Sequence, residues 1–159
     1  MSVAAHWLST HAPVHRAKGE RFMLFVDEYD PHEPFDTPEP WASMYDGDPI
    51  DPDEARLIWP PYIVGGTTKG AITDAQARQI RNNYGAKLSM IDHHFGKLLG
   101  EIDAQDLWDS TAVIVCTDHG HYLGEERRGR DIWGKPGVPQ FEPLGHTPRR
   151  PADRSGHAA

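Results

Sequence analysis

The sequence predicts an α/β protein, and three observations carry that reading. Two short apolar runs, 22–26 and 111–117, have the length and composition of buried strands. Between them Ile80, Tyr84, Leu88, Ile91, Phe95, Leu98 and Ile102 recur at steps of three and four, which is the apolar stripe of one long helix. The chain order is therefore helix, strand, long loop, long helix, strand.

Val3, Trp7 and Leu8, with Ala4 and Ala5 beside them, have helical spacing, and Pro13 is expected to stop that first helix. Phe22-Met23-Leu24-Phe25-Val26 follows as a strand that delivers Asp30-Pro31-His32-Glu33-Pro34-Phe35 into a loop. From Asp36 to Gly70 prolines and glycines recur too often for regular elements, and a loop this long in a small domain is a functional or covering segment. Thr73-Asp74-Ala75-Gln76 forms a capping box, with hydroxyl and amide three residues apart, and starts the long helix, which runs to about residue 103. Trp108-Asp109-Ser110 turns the chain into the strand at 111–117. Residues 149–159 hold nothing apolar larger than alanine and are expected to be a disordered tail, leaving 1–148 as the domain.

The chain has 159 residues, enough for one domain with a core but short for an α/β enzyme with a complete active site. Lys and Arg total 16 against 24 Asp and Glu, and the net charge of −8 argues against a nucleic-acid or anionic-membrane partner. Cys116 is the lone cysteine, so no internal disulfide can form. No apolar stretch approaches a membrane span, and the N-terminus lacks the basic and apolar regions of a secretory signal, so the chain as given reads as cytoplasmic.

Three groups of residues could carry chemistry. Val113-Ile114-Val115-Cys116-Thr117 ends in Asp118-His119-Gly120, where a carboxylate and an imidazole can reach one ion once the glycine turns the backbone. His32 lies in Asp-Pro-His-Glu-Pro-Phe, and Lys135 in Gly-Lys-Pro. An oxygen and nitrogen ligand pair, a second histidine and a lysine are what hydrolysis of an anionic ester needs. Each also fits a structural role: Asp118 bonding its own turn, His32 held among prolines, Lys135 as a solvated loop cation. His121 either touches an anion or hydrogen-bonds the loop, and His93 and His94 read as partly buried or surface histidines of the helix. If the functional reading holds, Asp118, His119, His32 and Lys135 converge in one cleft.

Phe22 to Phe35, the long helix, the segment Thr-Asp-His-Gly-His-Tyr-Leu-Gly-Glu at 117–125 and Trp133-Gly134-Lys135-Pro136 resemble the sulfatase family of the alkaline phosphatase superfamily. The order matches, over about residues 20–148. The resemblance implies an α/β sandwich around a mixed central sheet, a divalent cation (calcium or magnesium, manganese in some relatives) and hydrolysis of a small sulfate-ester substrate. By position it implies Asp118 and His119 as metal ligands, His32 as a sulfate contact that assists the leaving group, and Lys135 on the ester oxygens. It also exposes departures. The pair of aspartates and the Cys/Ser-x-Pro-x-Arg motif, whose first residue matures to formylglycine, do not occur in this sequence, and Cys116, as a strand residue, does not replace that nucleophile. After Gly145-His146-Thr147-Pro148 the family continues into an apolar strand, whereas this chain turns to Arg-Arg-Pro-Ala-Asp-Arg. The expectation is a partial catalytic domain, lacking its N-terminal part and truncated or frame-shifted at its end, that is inactive alone. Related expectations are a phosphodiesterase or phosphonate monoester hydrolase on the same fold, or a non-catalytic binding remnant.

Overall fold

Helix α1, Ser2–Ala17, opens the computed structural model, which describes residues 1–47 and 57–136. Ala4, Leu8 and Ala12 lie one helical repeat apart and are buried. They pack on Leu98, Ile102 and Leu107, with Trp7, Phe22 and Phe95 around them. The helix does not stop at Pro13 as expected but runs four residues further. Pro13 sits on the exposed side, so its missing N–H faces solvent while the stripe on the opposite face holds the helix together.

Residues 22–26 alternate as a strand should, with Phe22, Leu24 and Val26 turned toward α1 while Met23 and Phe25 point outward at 89% and 77% exposure. They nevertheless form no ladder, which corrects the expected strand. A strand is completed by a neighbour's N–H and C=O groups, and no described segment offers them. The run 111–117 is corrected for the same reason: it carries no ladder, and Ile114 is 85% exposed.

The long loop contains one regular piece, the two-residue strand β1, Ile63–Val64, where none was expected. Helix α2, Asp74–Ala104, then begins at the predicted capping box: Thr73 Oγ1 accepts from the Gln76 N–H, and the Gln76 side chain accepts from the Thr73 N–H. Its first half packs Ala77 and Ile80 against Phe35 and Trp133, and its second half meets α1. Leu88, expected on the stripe, is exposed because it lies at the stripe's edge, and Lys87 occupies the buried position beside it. A 3-10 turn at Trp108–Ser110 follows.

Beyond the expectations lies a hairpin of β2, Tyr122–Arg127, and β3, Arg130–Gly134. Arg128 and Gly129, both at positive φ (54° and 74°), make the two-residue turn that suits the strand twist. The sheet has order β1-β3-β2 and is antiparallel throughout, with Ile63 opposite Trp133. Helices and a small sheet in one packed unit give the α/β class expected. No described helix is long and apolar enough to cross a membrane. The tail at 149–159 lies outside the described residues.

Candidate functional site

Lys87 ties down the Asp30–Asp36 loop from α2. Its side chain is 5% exposed, and its ammonium lies 2.8 Å from Asp30 Oδ1 and 3.4 Å from Asp36 Oδ1. It also donates to the carbonyl oxygens of His32 (3.0 Å) and Pro34 (2.5 Å). A lysine is buried only when its charge is compensated and its donors are used, and here both conditions are met. The result is a fixed backbone around His32.

The His32 ring is set by its neighbours. Nδ1 lies 2.7 Å from the Glu33 carbonyl oxygen and 2.7 Å from the Tyr29 hydroxyl, with the Tyr29 ring stacked on it. Nε2 lies 2.5 Å from Lys135 Nζ. A carbonyl only accepts and an ammonium only donates, so Nδ1 carries the proton and Nε2 offers its lone pair to Lys135.

Lys135 arrives from the sheet. It directly follows β3, and the pairing of Ile63 with Trp133 brings Tyr62 to the same end of the sheet. Asp131 secures that register by accepting from the N–H and hydroxyl groups of Thr67 and Thr68 and from the Trp133 indole. Burial opposes the Asp131 charge, but these bonds outweigh it and hold the carboxyl far below its ordinary pKa. Lys135 Nζ and the Tyr62 hydroxyl both donate to Glu33 Oε1, the lysine at 3.0 Å. Glu33 is 6% exposed. Burial would raise its pKa, yet the bonds from Tyr62, its own backbone and Lys135 bring it down to about 2. Burial and the adjacent carboxylate push the Tyr62 phenol up, so it remains a donor.

His121 stands beside this cluster, with its ring centroid 5.3 Å from that of Phe35 and 6.0 Å from that of Tyr62. Its Nε2 is buried and has no hydrogen-bond partner among the described residues. Burial pushes its pKa down; Glu33 pulls it up, while Lys135 and His119 press it further down. His121 is thus within electrostatic reach of both His119 and Lys135.

Asp118 and His119 occupy an exposed turn. Asp118 Oδ1 accepts from the His119 N–H at 2.8 Å, the turn role considered for it, and Oδ2 lies 3.5 Å from His119 Nε2. His119 Nδ1 is 2.9 Å from the Gly120 carbonyl oxygen, which leaves Nε2 with its lone pair free. Among the described residues no group of three His, Cys, Asp or Glu side chains could hold a metal ion. The structure therefore joins His32 to Lys135, sets His121 beside them, and gives Asp118 and His119 each other and local backbone partners. Glu33, Tyr62 and Lys87 were not singled out from the sequence. Lys87 carried a signal, since it falls on the apolar stripe between Tyr84 and Ile91, and Glu33 adjoins the histidine that was found.

The Sulfatase family matches residues 4–152. The chain belongs to that family. Among its curated relatives, the multifunctional alkaline phosphatase superfamily protein PehA of Trinickia caryophylli is 29% identical over 67% of this chain and 25% of its own length. Human iduronate 2-sulfatase is 29% identical over 80% of this chain and 26% of its own. Bovine bis(5'-adenosyl)-triphosphatase ENPP4 is 28% identical over 75% and 24%. This Sulfatase-family chain thus spans about a quarter of the length of these relatives. No solved structure gives a significant match.

Proposed function

We propose that the chain supplies the ester-binding side of a metal-dependent sulfate-ester hydrolase. The observation that carries this reading is the 2.5 Å approach of Lys135 Nζ to His32 Nε2, made by two groups that reach each other from different elements. Lys135 binds the ester oxygens and neutralises their charge. As it turns to the ester it releases His32 Nε2, which can then take up a proton and give it to the leaving oxygen, while the Glu33 carbonyl and Tyr29 hold the ring through Nδ1. His121, whose Nε2 has no partner among the described residues, adds a further contact to the ester.

Asp118 and His119 fit a divalent cation, calcium or magnesium or manganese, as part of a ligand set. The Gly120 carbonyl fixes the His119 tautomer that leaves Nε2 for an ion, on the side where Asp118 Oδ2 stands. When bound, the cation supplies polarisation of the ester oxygens. Two ligands are few for such ions, so binding to this chain alone is weak. The sequence holds no Cys/Ser-x-Pro-x-Arg, and a formylglycine nucleophile would have to come from outside it.

The similarity to a triphosphatase over three quarters of this chain supports a second reading, hydrolysis of a phosphodiester or phosphoanhydride by the same residues. The test is hydrolysis of nitrophenyl sulfate and bis-nitrophenyl phosphate by the purified chain with each cation, beside Asp118→Ala and Lys135→Met. Binding of the sulfate ester that Lys135→Met abolishes, without turnover, supports the first reading. Preferential binding of the phosphodiester favours the second, and turnover lost in Asp118→Ala would show that no outside nucleophile is needed.

A further inference from the structure

We propose that His11 and His15 on α1 form a surface site for one divalent transition-metal ion of the zinc, nickel or copper class, separate from the ester site. The two histidines lie four positions apart within Ser2–Ala17, which puts them on one helix face with Cβ atoms about 5–6 Å apart. That spacing lets two helix imidazoles hold one ion. Pro13, which lies between them, leaves the helix unbroken. Both rings stack on the Trp7 indole, with centroids 5.2 Å from it for His11 and 6.0 Å for His15. His11 is exposed and His15 partly so, and an ion reaches them from solvent.

The hydrogen bonds leave the same nitrogen of each ring available. Thr10 Oγ1 donates to the carbonyl oxygens of His6 (2.9 Å) and Trp7 (3.2 Å), so its own proton is spent there. Its oxygen therefore accepts from His11 Nδ1 at 2.7 Å, and the Trp7 carbonyl oxygen, 3.3 Å from that nitrogen, can only accept as well. The proton of His11 sits on Nδ1. His15 Nδ1 faces the Glu20 carboxylate at 2.9 Å, another group that only accepts, so the neutral ring again carries its proton on Nδ1. Each Nε2 keeps a lone pair, and neither has a hydrogen-bond partner among the described residues. A carboxylate behind an imidazole, as Glu20 stands behind His15, orients the ring and strengthens it as a ligand.

Imidazole suits zinc, nickel and copper, whereas calcium and magnesium take oxygen ligands, so this pair selects a different class of ion from Asp118 and His119. Zinc takes about four ligands. The pair supplies two and water the rest, since among the described residues no three ligating side chains come together. Glu20 and the net charge of −8 favour a cation, and Arg16, the neighbour of His15, directs its guanidinium to the Gln105 carbonyl at 2.9 Å.

The test is titration of the untagged full chain with zinc in excess magnesium, followed by NMR of the histidine ring protons. Those of His11 and His15 should shift together and saturate with one ion, ahead of the ring protons of His93, His94 and His119. His11→Gln and His15→Gln should each weaken zinc binding about tenfold or more, and Glu20→Gln about tenfold with both ligands still in place. His6→Gln and His93→Gln should leave it unchanged. Shifts that appear first at His119 or at His93 and His94, equal affinity in folded His11→Gln, or no saturable binding overturns the proposal. The order of the shifts is read in the native chain, so a variant that fails to fold does not remove the test.

Discussion

Lys87 holds His32 by its backbone rather than by its ring: the ammonium on α2 donates to the His32 carbonyl oxygen at 3.0 Å, which leaves the imidazole to Lys135. One lysine thereby orients another lysine's partner. Replacing Lys87 with Met keeps most of its length and removes its charge, leaving Asp30 and two carbonyls without their donor. The expected loss of stability is about 2–4 kcal/mol, below a fully buried pair because Asp30 is partly exposed. Asp30→Asn should cost less, since Lys87 keeps its other acceptors. Urea unfolding of both variants checks the ranking, and an equal cost would mean that the carbonyl bonds contribute little.

Acid should weaken the sheet end of the site before it weakens α1. Both Glu33 and Asp131 have pKa values depressed by folding, Glu33 to about 2. Their unfolded values are near ~4, so their stabilisation is fully present above that and is lost as pH falls toward the folded values. Unfolding free energy measured from neutral pH downward should drop steeply below pH ~4. Asp131→Asn should flatten that slope and lower stability at neutral pH by about 2 kcal/mol.

His121 is expected to trade stability for function. Its buried Nε2 lacks a partner among the described residues, and its depressed pKa means that the unfolded chain binds a proton more readily. That destabilises the fold as pH drops below ~6.5. His121→Phe keeps the aromatic packing against Phe35 and Tyr62 and removes both penalties. It should be as stable as the native chain or up to about 1 kcal/mol more so, with a smaller loss of stability between neutral and mildly acid pH, the remainder coming from His94, whose pKa burial also lowers. A clear destabilisation would show that the nitrogen makes a stabilising bond.

Gly124 should tolerate no side chain. It sits at φ +97° in the β2 bulge, where an added Cβ would lie 2.7 Å from Trp133 Cζ2 and closer still to the Arg81 guanidinium. Gly124→Ala is expected to cost about 2–3 kcal/mol from strain and overpacking together. Thermal melts of Gly124→Ala beside Gly129→Ala, which has positive φ but open space, separate the two causes.

The parts legible in the sequence were those whose physics is local. The capping box and stripe of α2 depend on residues a few positions apart, and they appear as read except at Leu88. The runs 22–26 and 111–117 were apolar enough for strands, but a ladder depends on a second segment that composition does not reveal. The β2–β3 hairpin went unseen because Glu125, Glu126, Arg127 and Arg128 hide the period-two signal, and only Arg128-Gly129 marks its turn. In the site, His32 and Lys135 stood out by residue type. Glu33 did not, since what makes it informative is its burial beside Lys135, a contact across 102 positions of chain that no spacing rule predicts.

The segment 22–26 is apolar on both faces, with Phe22, Leu24 and Val26 inward and Met23 and Phe25 outward. A slip by one residue would turn Met23 and Phe25 inward and bring Arg21 or Asp27 with them, so hydropathy already favours the observed register. Shape adds to that preference. Phe22 and Trp7 meet in a T-shaped contact at a centroid distance of 5.2 Å, which the observed register makes. The aromatic contact and the charged residues that flank the segment together act as the index mark by which it is aligned, and through it the distance along the chain at which His32 is delivered to Lys135.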